Sequence, residues 1–267
     1  MCTDTNHEAN GEFKIPKTHP RYRSLAERER LVSGFKRGIV VPQGLIAHGR
    51  GEAFDYLIGE KTLEPALKAI EAAAALLVIS NYPIISVNGN AAALVGDDIV
   101  KLSNETGIPI EVNLFYRSEE RVKKIVSFLR DKGAKNIIEC RDVVVIPGLQ
   151  SERGKVCEEG IWRADTVLLM MEDGDRTEAL VRIGKRVIAV DLNPLSRTAL
   201  KATITIVDNV TRAIPRLRKY VKRLSLKSRE RLEELVKSYN NIENLSKMVW
   251  EIKNRLEGLS REMLKQA

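Results

Sequence analysis

The sequence predicts an α/β fold, in which a mostly parallel sheet is flanked by helices, with an N-terminal helix and a C-terminal helical extension. Short apolar segments alternate along the chain with longer segments whose apolar residues recur at helical spacing. Strands of a parallel sheet carry such apolar runs because helices cover the sheet on both faces. The pattern is typical of a Rossmann-like architecture. The segments predicted as strands are 83–88, 108–114, 142–146, 166–170, 186–190 and 203–207.

Length and composition are those of a globular protein. The chain has 267 residues, of which 43% are hydrophobic and 30% are charged. Residues 1–14 are predicted to form a disordered tail, 15–210 an α/β core, and 211–267 a C-terminal helical segment. The longest apolar run, 72–80, is too short to span a bilayer, so no membrane contact is predicted.

The cysteines indicate neither a metal site nor a disulfide framework. Cys2, Cys140 and Cys157 are few, odd in number and without metal-ligand spacing. Such a chain is expected to work in the reducing cytoplasm with its thiols free. We therefore predict a cytoplasmic protein and assign no metal-ligating residue from the sequence.

Positive charge is concentrated in the last part of the chain. The net charge is +8, and from Thr211 onward Lys and Arg outnumber Asp and Glu by 15 to 7. A basic segment would suit nucleic acid, or it would form the solvated face of surface helices. The solvated face is favoured because aromatic residues are few and acids are interleaved with bases. No nucleic-acid partner is therefore predicted.

The same segment carries a short heptad seam. Its apolar residues alternate at steps of four and three, which favours packing against another helix. Because closed two-fold pairs are the commonest assembly, we predict a homodimer that uses these helices. The seam consists of Leu245, Val249, Ile252, Leu256, Leu259 and Met263.

Two helices with recognisable start signals precede the first strand. The first is predicted to begin at Ser24, which would form a capping box with Glu27. Arg28 lies near the edge of its apolar stripe, where an arginine usually keeps its charged end in water. The second is predicted over 62–80, with Thr62 as its N-cap.

The segment 44–60 combines glycines with a histidine, an arginine and acids. Its glycines permit close backbone approach, so we predict a tight loop that presents His48 and Arg50, with a helix beginning near Glu52. The planar guanidinium of Arg50 suits a phosphate or a carboxylate. The alternative interpretation is a glycine-rich turn with solvated charges.

Two turns follow predicted strands at the edge where the carboxyl ends of parallel strands meet. Asn88 and Asn90 flank a glycine at the start of a helix, an arrangement that binds an anionic ligand or caps the helix. The acidic turn 171–175 would hold a cation or cap the next helix, and the cap is favoured. Each turn therefore has a binding and a structural interpretation.

A third turn has the residues of a nucleotide site. Asp191 ends an apolar strand, a position that commonly receives the hydroxyls of a ribose. Asn193 would read an adenine edge or hold the loop, and Arg197 and Thr198 would meet phosphates. The alternative is a structural turn built on an Asp or Asn side chain. Residues 208–211 are predicted to cap the following helix.

Five long motifs occur in one order along the chain. They read THPRYRSL, GLIAHGRGEAFDYLIGE, PIISVNGNAAAL, EVNLFYRSEER and AVDLNPLSRTA. Together they resemble the archaeal phosphopantothenate synthetases, also called 4-phosphopantoate–β-alanine ligases. The resemblance extends from about His19 to the end of the chain, and five ordered motifs are more specific than a single glycine pattern.

The resemblance implies an activity and a set of binding residues. Enzymes of this family join 4-phosphopantoate to β-alanine on the route to coenzyme A and convert ATP to AMP and diphosphate through a phosphopantoyl-adenylate. The resemblance also implies a homodimer with a Rossmann-like core. The ATP positions it implies are Arg28, Arg50, Asp191, Leu192, Asn193, Arg197, Thr198, Asn209 and Val210.

The chemistry of that reaction assigns the remaining roles. Negative charge develops on the α-phosphate and on diphosphate, so cationic donors such as Arg50, together with Mg²⁺, should stabilise the transition state. The phosphate of 4-phosphopantoate is assigned to Arg117 and to the turn with Asn88 and Asn90. His48 would accept the ammonium proton of β-alanine or orient a phosphate, unless a bond to backbone holds it.

Two other classes of protein stay open at the level of the sequence. One is another Rossmann-like enzyme that depends on a nucleotide, suggested by Asp191 at a strand end, although the sequence lacks G-x-G-x-x-G. The other is a nucleic-acid-binding protein that uses the basic C-terminal helices.

Overall fold

A five-stranded parallel sheet flanked by helices forms the centre of the molecule, which confirms the predicted fold class. The computed structural model describes residues 15–266, so the predicted tail 1–14 lies outside the described residues. Seven strands occur within that range: β1 (Pro83–Val87), β2 (Ile110–Val112), β3 (Val143–Val145), β4 (Lys155–Cys157), β5 (Thr166–Met170), β6 (Arg186–Val190) and β7 (Ile204–Ile206).

The order of strands in the main sheet is β2-β1-β5-β6-β7, and every neighbouring pair is parallel. The sheet therefore grows in one direction from β1 to β2 and in the other direction from β5 onward. This order is that of flavodoxin-like doubly wound sheets, in which ligands bind outside the carboxyl ends of the strands where the direction reverses. The reversal lies between β1 and β5.

One predicted strand does not join the main sheet. The segment 142–146 contains β3, but β3 pairs with β4 in a separate antiparallel ribbon. Val143 and Val145 leave 51% and 55% of their surface exposed, so this run of valines does not enter the sheet core. The expectation of another buried parallel strand here is wrong, because a β-branched run suits an exposed ribbon as well as a buried strand.

The expectation of free thiols is wrong for two cysteines. Cys140 and Cys157 form a disulfide, with their Cα atoms 5.1 Å apart. The ribbon brings them together: Val143 pairs with Cys157, and Cys140 lies just before β3. Their separation of 17 residues matches no local motif, so the sequence offers no signal for the pair.

Ten α-helices surround the sheet and its edges within the described residues. Helices α3 and α4 carry long buried faces, and the alanines of α3 allow α8 and α9 to pack closely on it. The helices are α1 (Tyr22–Lys36), α2 (Pro42–Ile58), α3 (Glu64–Ile79), α4 (Gly89–Thr106), α5 (Glu119–Asp131), α6 (Gly174–Arg182), α7 (Arg197–Lys201), α8 (Val210–Leu224), α9 (Arg229–Lys237) and α10 (Asn241–Leu264).

The glycine-rich segment is a helix and not the predicted loop. Helix α2 begins with Pro42, whose fixed φ angle suits the first helical position, and it ends at Gly59 with φ +80°. A glycine inside a helix costs about 1 kcal/mol relative to alanine, which is why the sequence favoured a loop. Close packing on the glycine face offsets that cost: a Cβ on Gly44 would overlap Oδ1 of Asn90.

Two predicted helix caps have other roles. Helix α1 begins before Ser24, and the Ser24 hydroxyl donates to the carbonyl oxygen of Arg21 at 3.2 Å. Helix α3 has Leu63 at its N-cap, and Thr62 instead donates to Oδ2 of Asp208 at 2.6 Å. Both hydroxyls are used in contacts that the local sequence does not reveal.

Helix α10 divides the predicted heptad seam into two parts. Leu245 is 3% exposed and packs on the chain itself, beside Met248. Leu256 and Met263 are 43% and 67% exposed, so the later part of the seam is open to solvent. Between residues 15 and 266, no helix has the length and apolar character needed to cross a membrane.

Candidate functional site

A cleft of about 710 Å³ runs along the carboxyl edge of the main sheet. It includes the point between β1 and β5 where sheet growth reverses, the expected ligand site of such folds. Helix α2 contributes residues from Gln43 to Phe54. The turns after the strands contribute 88–90, 114–116, 171–174, 190–193, 196–198 and 208–210.

Helix α2 crosses the cleft with its glycine face toward the sheet. The Asn90 Nδ2 donates to the carbonyl oxygen of Gly44 at 2.8 Å, above the end of β1. A Cβ on Gly51 would lie 3.7 Å from Leu192, above the end of β6. Gly44 and Gly51 are two helical turns apart, a distance of about 10 Å along α2. The strands β1 and β6 are separated by two strand spacings, which is also about 10 Å.

The cleft has two ends with different construction. We call one the β6 end, formed by Arg50 with the turn 191–193 and residues 196–198. We call the other the β1 end, formed by the turn 88–90 and the residues that surround it from β2 and β5.

Asp191 organises the turn at the β6 end. Its Oδ1 accepts from the Asn193 amide at 2.9 Å, and its Oδ2 accepts from the Ser196 hydroxyl at 2.5 Å. Burial raises the pKa of Asp191. The hydrogen bonds from Ser196 and Asn193 and the charge of Arg50 act in the opposite direction and lower it by less. The structural turn considered from the sequence is therefore present, and each oxygen keeps a lone pair for a ribose hydroxyl.

The arginines of the β6 end are exposed. Arg197 is 57% exposed and pairs with Asp175 at 2.5 Å and Glu178 at 2.6 Å. Arg50 is exposed on α2 and forms no ion pair with any residue between 15 and 266. Thr198, by contrast, is buried, and its hydroxyl donates to the Glu172 carbonyl oxygen at 2.8 Å. Both arginine side chains are thus accessible to an anionic ligand.

Asn209 and Val210 border the cleft at the start of α8. Asn209 caps the helix, as predicted, because its Oδ1 accepts from the Thr211 amide at 3.0 Å. Its Nδ2 donates to Glu27 and to Asp55, each at 3.0 Å. The side chain of Asn209 is therefore used within the protein, and Val210 is buried beside it.

A buried acidic cluster lies behind α2. Arg212 pairs with Asp55 at 2.5 Å and with Asp208 at 2.7 Å. Glu27 of α1 joins the cluster by accepting from the Thr211 hydroxyl at 2.6 Å. These contacts connect α1, α2 and α8, so they hold α2 in its position over the cleft.

Arg28 lies outside the residues that line the cleft. Its Nη2 donates to both carboxylate oxygens of Glu52, at 2.9 and 2.8 Å, and the side chain is 42% exposed. The bond to the Glu52 carboxylate raises the pKa of Arg28. An ATP contact by Arg28 stays a prediction.

His48 lies between the cleft and the acidic cluster. Burial lowers the pKa of His48 from its ordinary value of 6.5, although Glu27 and Glu52 raise it. The imidazole is therefore neutral at neutral pH and able to accept a proton. No backbone group between residues 15 and 266 is hydrogen-bonded to it, so the backbone-held alternative has no support there.

Asn88 connects the two strands at the reversal point of the β1 end. Its Oδ1 accepts from the Ala91 amide at 2.9 Å, which caps α4 as considered from the sequence. Its Nδ2 donates to the Met170 carbonyl oxygen at the end of β5, at 2.7 Å. The amides of Gly89 and Asn90 lie in the first turn of α4, where amides have no partner within the helix, and both residues line the cleft.

Arg121 lines the β1 end and was missed by the sequence analysis. Its Nε donates to the Ile39 carbonyl oxygen at 2.9 Å, and its Nη1 donates to the Tyr116 carbonyl oxygen at 2.8 Å. Its Nη2 would be 2.7 Å from a Cβ on Gly89, so it lies directly over the start of α4. The predicted Arg117 is not among the residues that line the cleft.

Two buried arginines lie beneath this end. Arg153 is 11% exposed and pairs with Glu172 and, at 3.4 Å, with Asp173. Arg176 has no exposed surface, and it donates to Glu172 at 2.6 Å and to Ser86 at 3.2 Å. Burial lowers the pKa of both arginines to about 10, so both stay charged at neutral pH.

The acidic turn 171–175 has the structural role that was favoured. Asp173 caps α6, since its Oδ1 accepts from the Arg176 amide at 2.8 Å. The carboxylates of Glu172 and Asp173 also pair with arginines, and residues 15–266 contain no group of three or more side chains suited to a metal.

Glu111 is the one buried acid near this end that has no ion pair within the described residues. It is 1% exposed and accepts from the Cys157 amide at 3.2 Å and the Ile161 amide at 2.7 Å. Burial raises the pKa of Glu111 to about 7, although the two amides and the charge of Arg176 lower it. The carboxyl group is therefore partly protonated at neutral pH.

The basic C-terminal helices carry many ion pairs. Arg218 pairs with Glu105 at 2.6 Å, and Arg223 pairs with Glu71 at 3.0 Å. Further pairs occur within α9 and α10. This arrangement favours the solvated, ion-paired surface over a phosphate-binding one.

A doubly wound parallel sheet with an arginine-lined cleft at its reversal point defines an α/β protein that binds anionic ligands. The comparison with known proteins is more specific. The chain belongs to the phosphopantothenate/pantothenate synthetase family, whose model matches residues 65–255.

Relatives from three archaea are similar over nearly the whole chain. The chain is 52% identical over 249 residues to the 4-phosphopantoate–β-alanine ligase of Thermococcus kodakarensis, covering 93% of this chain and 95% of that protein. It is 50% identical over 248 residues to the ligase of Thermococcus onnurineus, covering 92% and 95%. It is 47% identical over 248 residues to that of Methanosarcina mazei, covering 93% and 98%. The resemblance seen in the motifs is confirmed.

Proposed function

We propose that this protein is a cytoplasmic 4-phosphopantoate–β-alanine ligase of coenzyme A biosynthesis. The reaction joins the carboxyl group of 4-phosphopantoate to the amine of β-alanine and converts ATP to AMP and diphosphate. Membership of the family supports this activity. The structural observation that carries it is one cleft with arginines at both ends, because the reaction brings together two separately phosphorylated substrates.

ATP is assigned to the β6 end. Asp191 lies at the carboxyl end of β6, where a carboxylate can accept from ribose hydroxyls. The Oδ1 of Asn193 accepts from the Leu195 amide at 2.9 Å. Its Nδ2 is then available to donate to the edge of the adenine base. Leu192 is partly buried and supplies an apolar surface. Arg50 and Arg197 are placed to meet the phosphates.

The first step is transfer of the adenylyl group. A carboxylate oxygen of 4-phosphopantoate attacks the α-phosphorus of ATP, and the bond from that phosphorus to diphosphate breaks. Negative charge grows on the leaving diphosphate and on the α-phosphate oxygens. Arg50, which is exposed over the cleft, would offset that charge with planar donors.

The second step forms the amide. The neutral amine of β-alanine attacks the acyl carbon of the adenylate, and the bond from carbon to AMP oxygen breaks. The amine must lose a proton, and His48 is a neutral imidazole at the cleft. Activity is therefore expected to fall as the pH drops through the lowered pKa of His48.

Mg²⁺ has no protein cage in the described residues. The acids at the cleft serve other contacts: Asp191 accepts from its own turn, and Glu172 and Asp173 pair with arginines. Mg²⁺ commonly binds through substrate phosphates and water with one or two carboxylates. The described side chains thus do not fit a dedicated Mg²⁺ site.

A homodimer is proposed as the working assembly. The exposed part of the seam, Leu256 to Met263, supports it, because these residues would become buried against a second copy. Deletion of 256–267 leaves Leu245 and Met248 on the core. That truncation is expected to yield a folded monomer in light scattering, and an unchanged mass would place the dimer contact elsewhere.

The function is tested by incubating the protein with ATP, 4-phosphopantoate and β-alanine and identifying all products. We expect 4′-phosphopantothenate, AMP and diphosphate in equal amounts. Omission of β-alanine should leave an adenylate that can be trapped with hydroxylamine. Formation of ADP and phosphate would exclude the adenylate path, and absence of 4′-phosphopantothenate would exclude the ligase.

A further inference from the structure

The guanidinium of Arg121 is fixed by the backbone on two sides. The Ile39 and Tyr116 carbonyl oxygens, at 2.9 and 2.8 Å, accept from its Nε and Nη1. These bonds orient the planar group and leave its Nη2 over Gly89, in the cleft. A side chain held in this way has lost most of its rotamer freedom before any ligand arrives, which favours tight and specific binding.

Several positive groups converge at this point. The first turn of α4 presents the positive end of an 18-residue helix, with the amides of Gly89 and Asn90. Arg153 also lines the cleft at this end, where the carboxylates of Glu172 and Asp173 balance its charge. Although Arg153 pairs with Glu172 and Asp173, its buried Nε makes no hydrogen bond within the described residues.

The Arg121 guanidinium and the positive end of α4 lie close together, and a bound anion would stabilise both. The start of α4 and the Arg121 guanidinium repel each other, and a Cβ on Gly89 would overlap the Ile39 carbonyl oxygen. Glycine at this position therefore allows both the Ile39 carbonyl oxygen and the Arg121 guanidinium to approach the helix start. A phosphate bound here would accept from both the guanidinium and the helix amides.

Two aromatic side chains flank the same point. Phe115 and Tyr116 line the cleft, are 42% and 49% exposed, and have ring centroids 5.0 Å apart. 4-Phosphopantoate carries two methyl groups on the carbon next to its phosphorylated CH₂. An exposed aromatic surface beside a phosphate site would contact the two methyl groups while the phosphate is bound next to them.

We propose that Arg121 and the start of α4 bind the phosphate of 4-phosphopantoate, and that Arg121 thereby selects the phosphorylated acid over free pantoate. The inference rests on the proposed function for the identity of the substrate. It assigns the role that the sequence analysis gave to Arg117 to a residue one helical turn further on. The carboxyl group of the substrate then extends from the β1 end toward the α-phosphate at the β6 end.

Calorimetric binding of 4-phosphopantoate and of pantoate tests this selection without requiring turnover. For Arg121→Gln we expect the dissociation constant of 4-phosphopantoate to rise roughly ten- to a hundredfold, the range for loss of a charge-assisted contact. The dissociation constant of pantoate should change less than about threefold. Arg121→Lys should recover part of the loss, because it keeps the charge without the planar fork.

Arg130→Gln is the matched control. Arg130 lies on the same helix and pairs with Glu139 outside the cleft, so its loss changes net charge equally. Equal weakening of both ligands by Arg121→Gln would overturn the proposal and make Arg121 structural, as would a similar loss in Arg130→Gln. Failure of wild-type protein to bind 4-phosphopantoate would also overturn it. Absence of ligase products with intact selective binding would instead count against the proposed function alone.

Discussion

The two ends of the cleft hold their arginines in different ways. At the β6 end, Arg50 and Arg197 are exposed, and Arg197 pairs with Asp175 and Glu178, which are 67% and 35% exposed. At the β1 end, Arg121 is tied to two backbone carbonyls and Arg153 is 11% exposed above buried acids. The first arrangement costs little stability, whereas the second removes charges from water.

The difference matches the different tasks of the two ends. A buried arginine requires partners on all sides, so its geometry is set when the chain folds. An exposed arginine adapts to its ligand and is screened by water and salt. The β1 end is therefore suited to selecting one substrate, and the β6 end to following a nucleotide whose phosphates change during the reaction.

The largest expected effect is a difference between the two ends in how their acids make the stability of the protein depend on pH. Burial raises the pKa of Glu111 from 4.5 to about 7 in the folded protein. A group with a raised pKa contributes stability below its unfolded value and loses it as the pH rises toward the folded value. The contribution of Glu111 to the free energy of unfolding should fall by about 1.4 kcal/mol per pH unit across that interval. Chemical denaturation of wild type and Glu111→Gln between pH 4.5 and 7.5 measures it.

Glu178 supplies the control at the β6 end. Hydrogen bonds from Arg197 and then Lys201 lower the pKa of Glu178 to about 2, so its contribution is lost only as the pH falls below 4.5. Glu178→Gln should therefore keep the wild-type slope between pH 4.5 and 7.5, and Glu111→Gln should flatten it. If Glu111→Gln and Glu178→Gln show the same slope of unfolding free energy against pH, the proposed difference between the two ends is wrong.

A smaller effect is expected from one methyl group at each end. In Gly89→Ala the new Cβ meets the Ile39 carbonyl oxygen and Arg121, and neither backbone nor a tethered arginine yields easily. We expect a loss of about 1–3 kcal/mol, as for overpacking elsewhere. In Gly51→Ala the Cβ lies 3.7 Å from Leu192, an ordinary contact, and helix propensity adds about 1 kcal/mol.

Thermal melts of the two glycine variants measure this asymmetry. Gly89→Ala should melt lower than the wild type, and Gly51→Ala should melt at the same temperature or higher. Gly49→Ala is the reference for helix propensity alone, since nothing lies within 4 Å of its added Cβ. If Gly51→Ala destabilises the protein instead, α2 packs more closely on the β6 end than the 3.7 Å distance to Leu192 indicates.

Much of the fold follows from local sequence patterns. The strands 166–170 and 186–190 have the predicted bounds, because long apolar runs between glycine and charged turns permit one interpretation. The order of strands was not predictable, since it depends on which crossover passes over which face. The loop predicted at 44–60 failed for a similar reason. The carbonyl oxygen of Gly44 accepts from Asn90, and Gly51 faces Leu192, and both partners are distant in sequence.

The candidate site was predictable where a side chain directly follows a strand. Asn88 and Asp191 were found in this way, because strand ends of a parallel sheet meet at one edge. Arg121 and Arg153 were missed because neither follows a strand of the main sheet directly. Arg121 lies inside the charged helix α5 and Arg153 lies in a three-residue 3-10 helix, Glu152–Gly154, so nothing local separates them from surface arginines.

The division of the cleft between two phosphorylated substrates is tested most directly by a crossed binding experiment. The dissociation constants of ATP and 4-phosphopantoate are measured by calorimetry for wild type, Arg197→Ala and Arg121→Gln. Arg197→Ala should weaken ATP about tenfold or more and leave 4-phosphopantoate nearly unchanged, and Arg121→Gln should do the reverse. If both variants weaken the same ligand, or each weakens both equally, the two ends do not serve separate substrates.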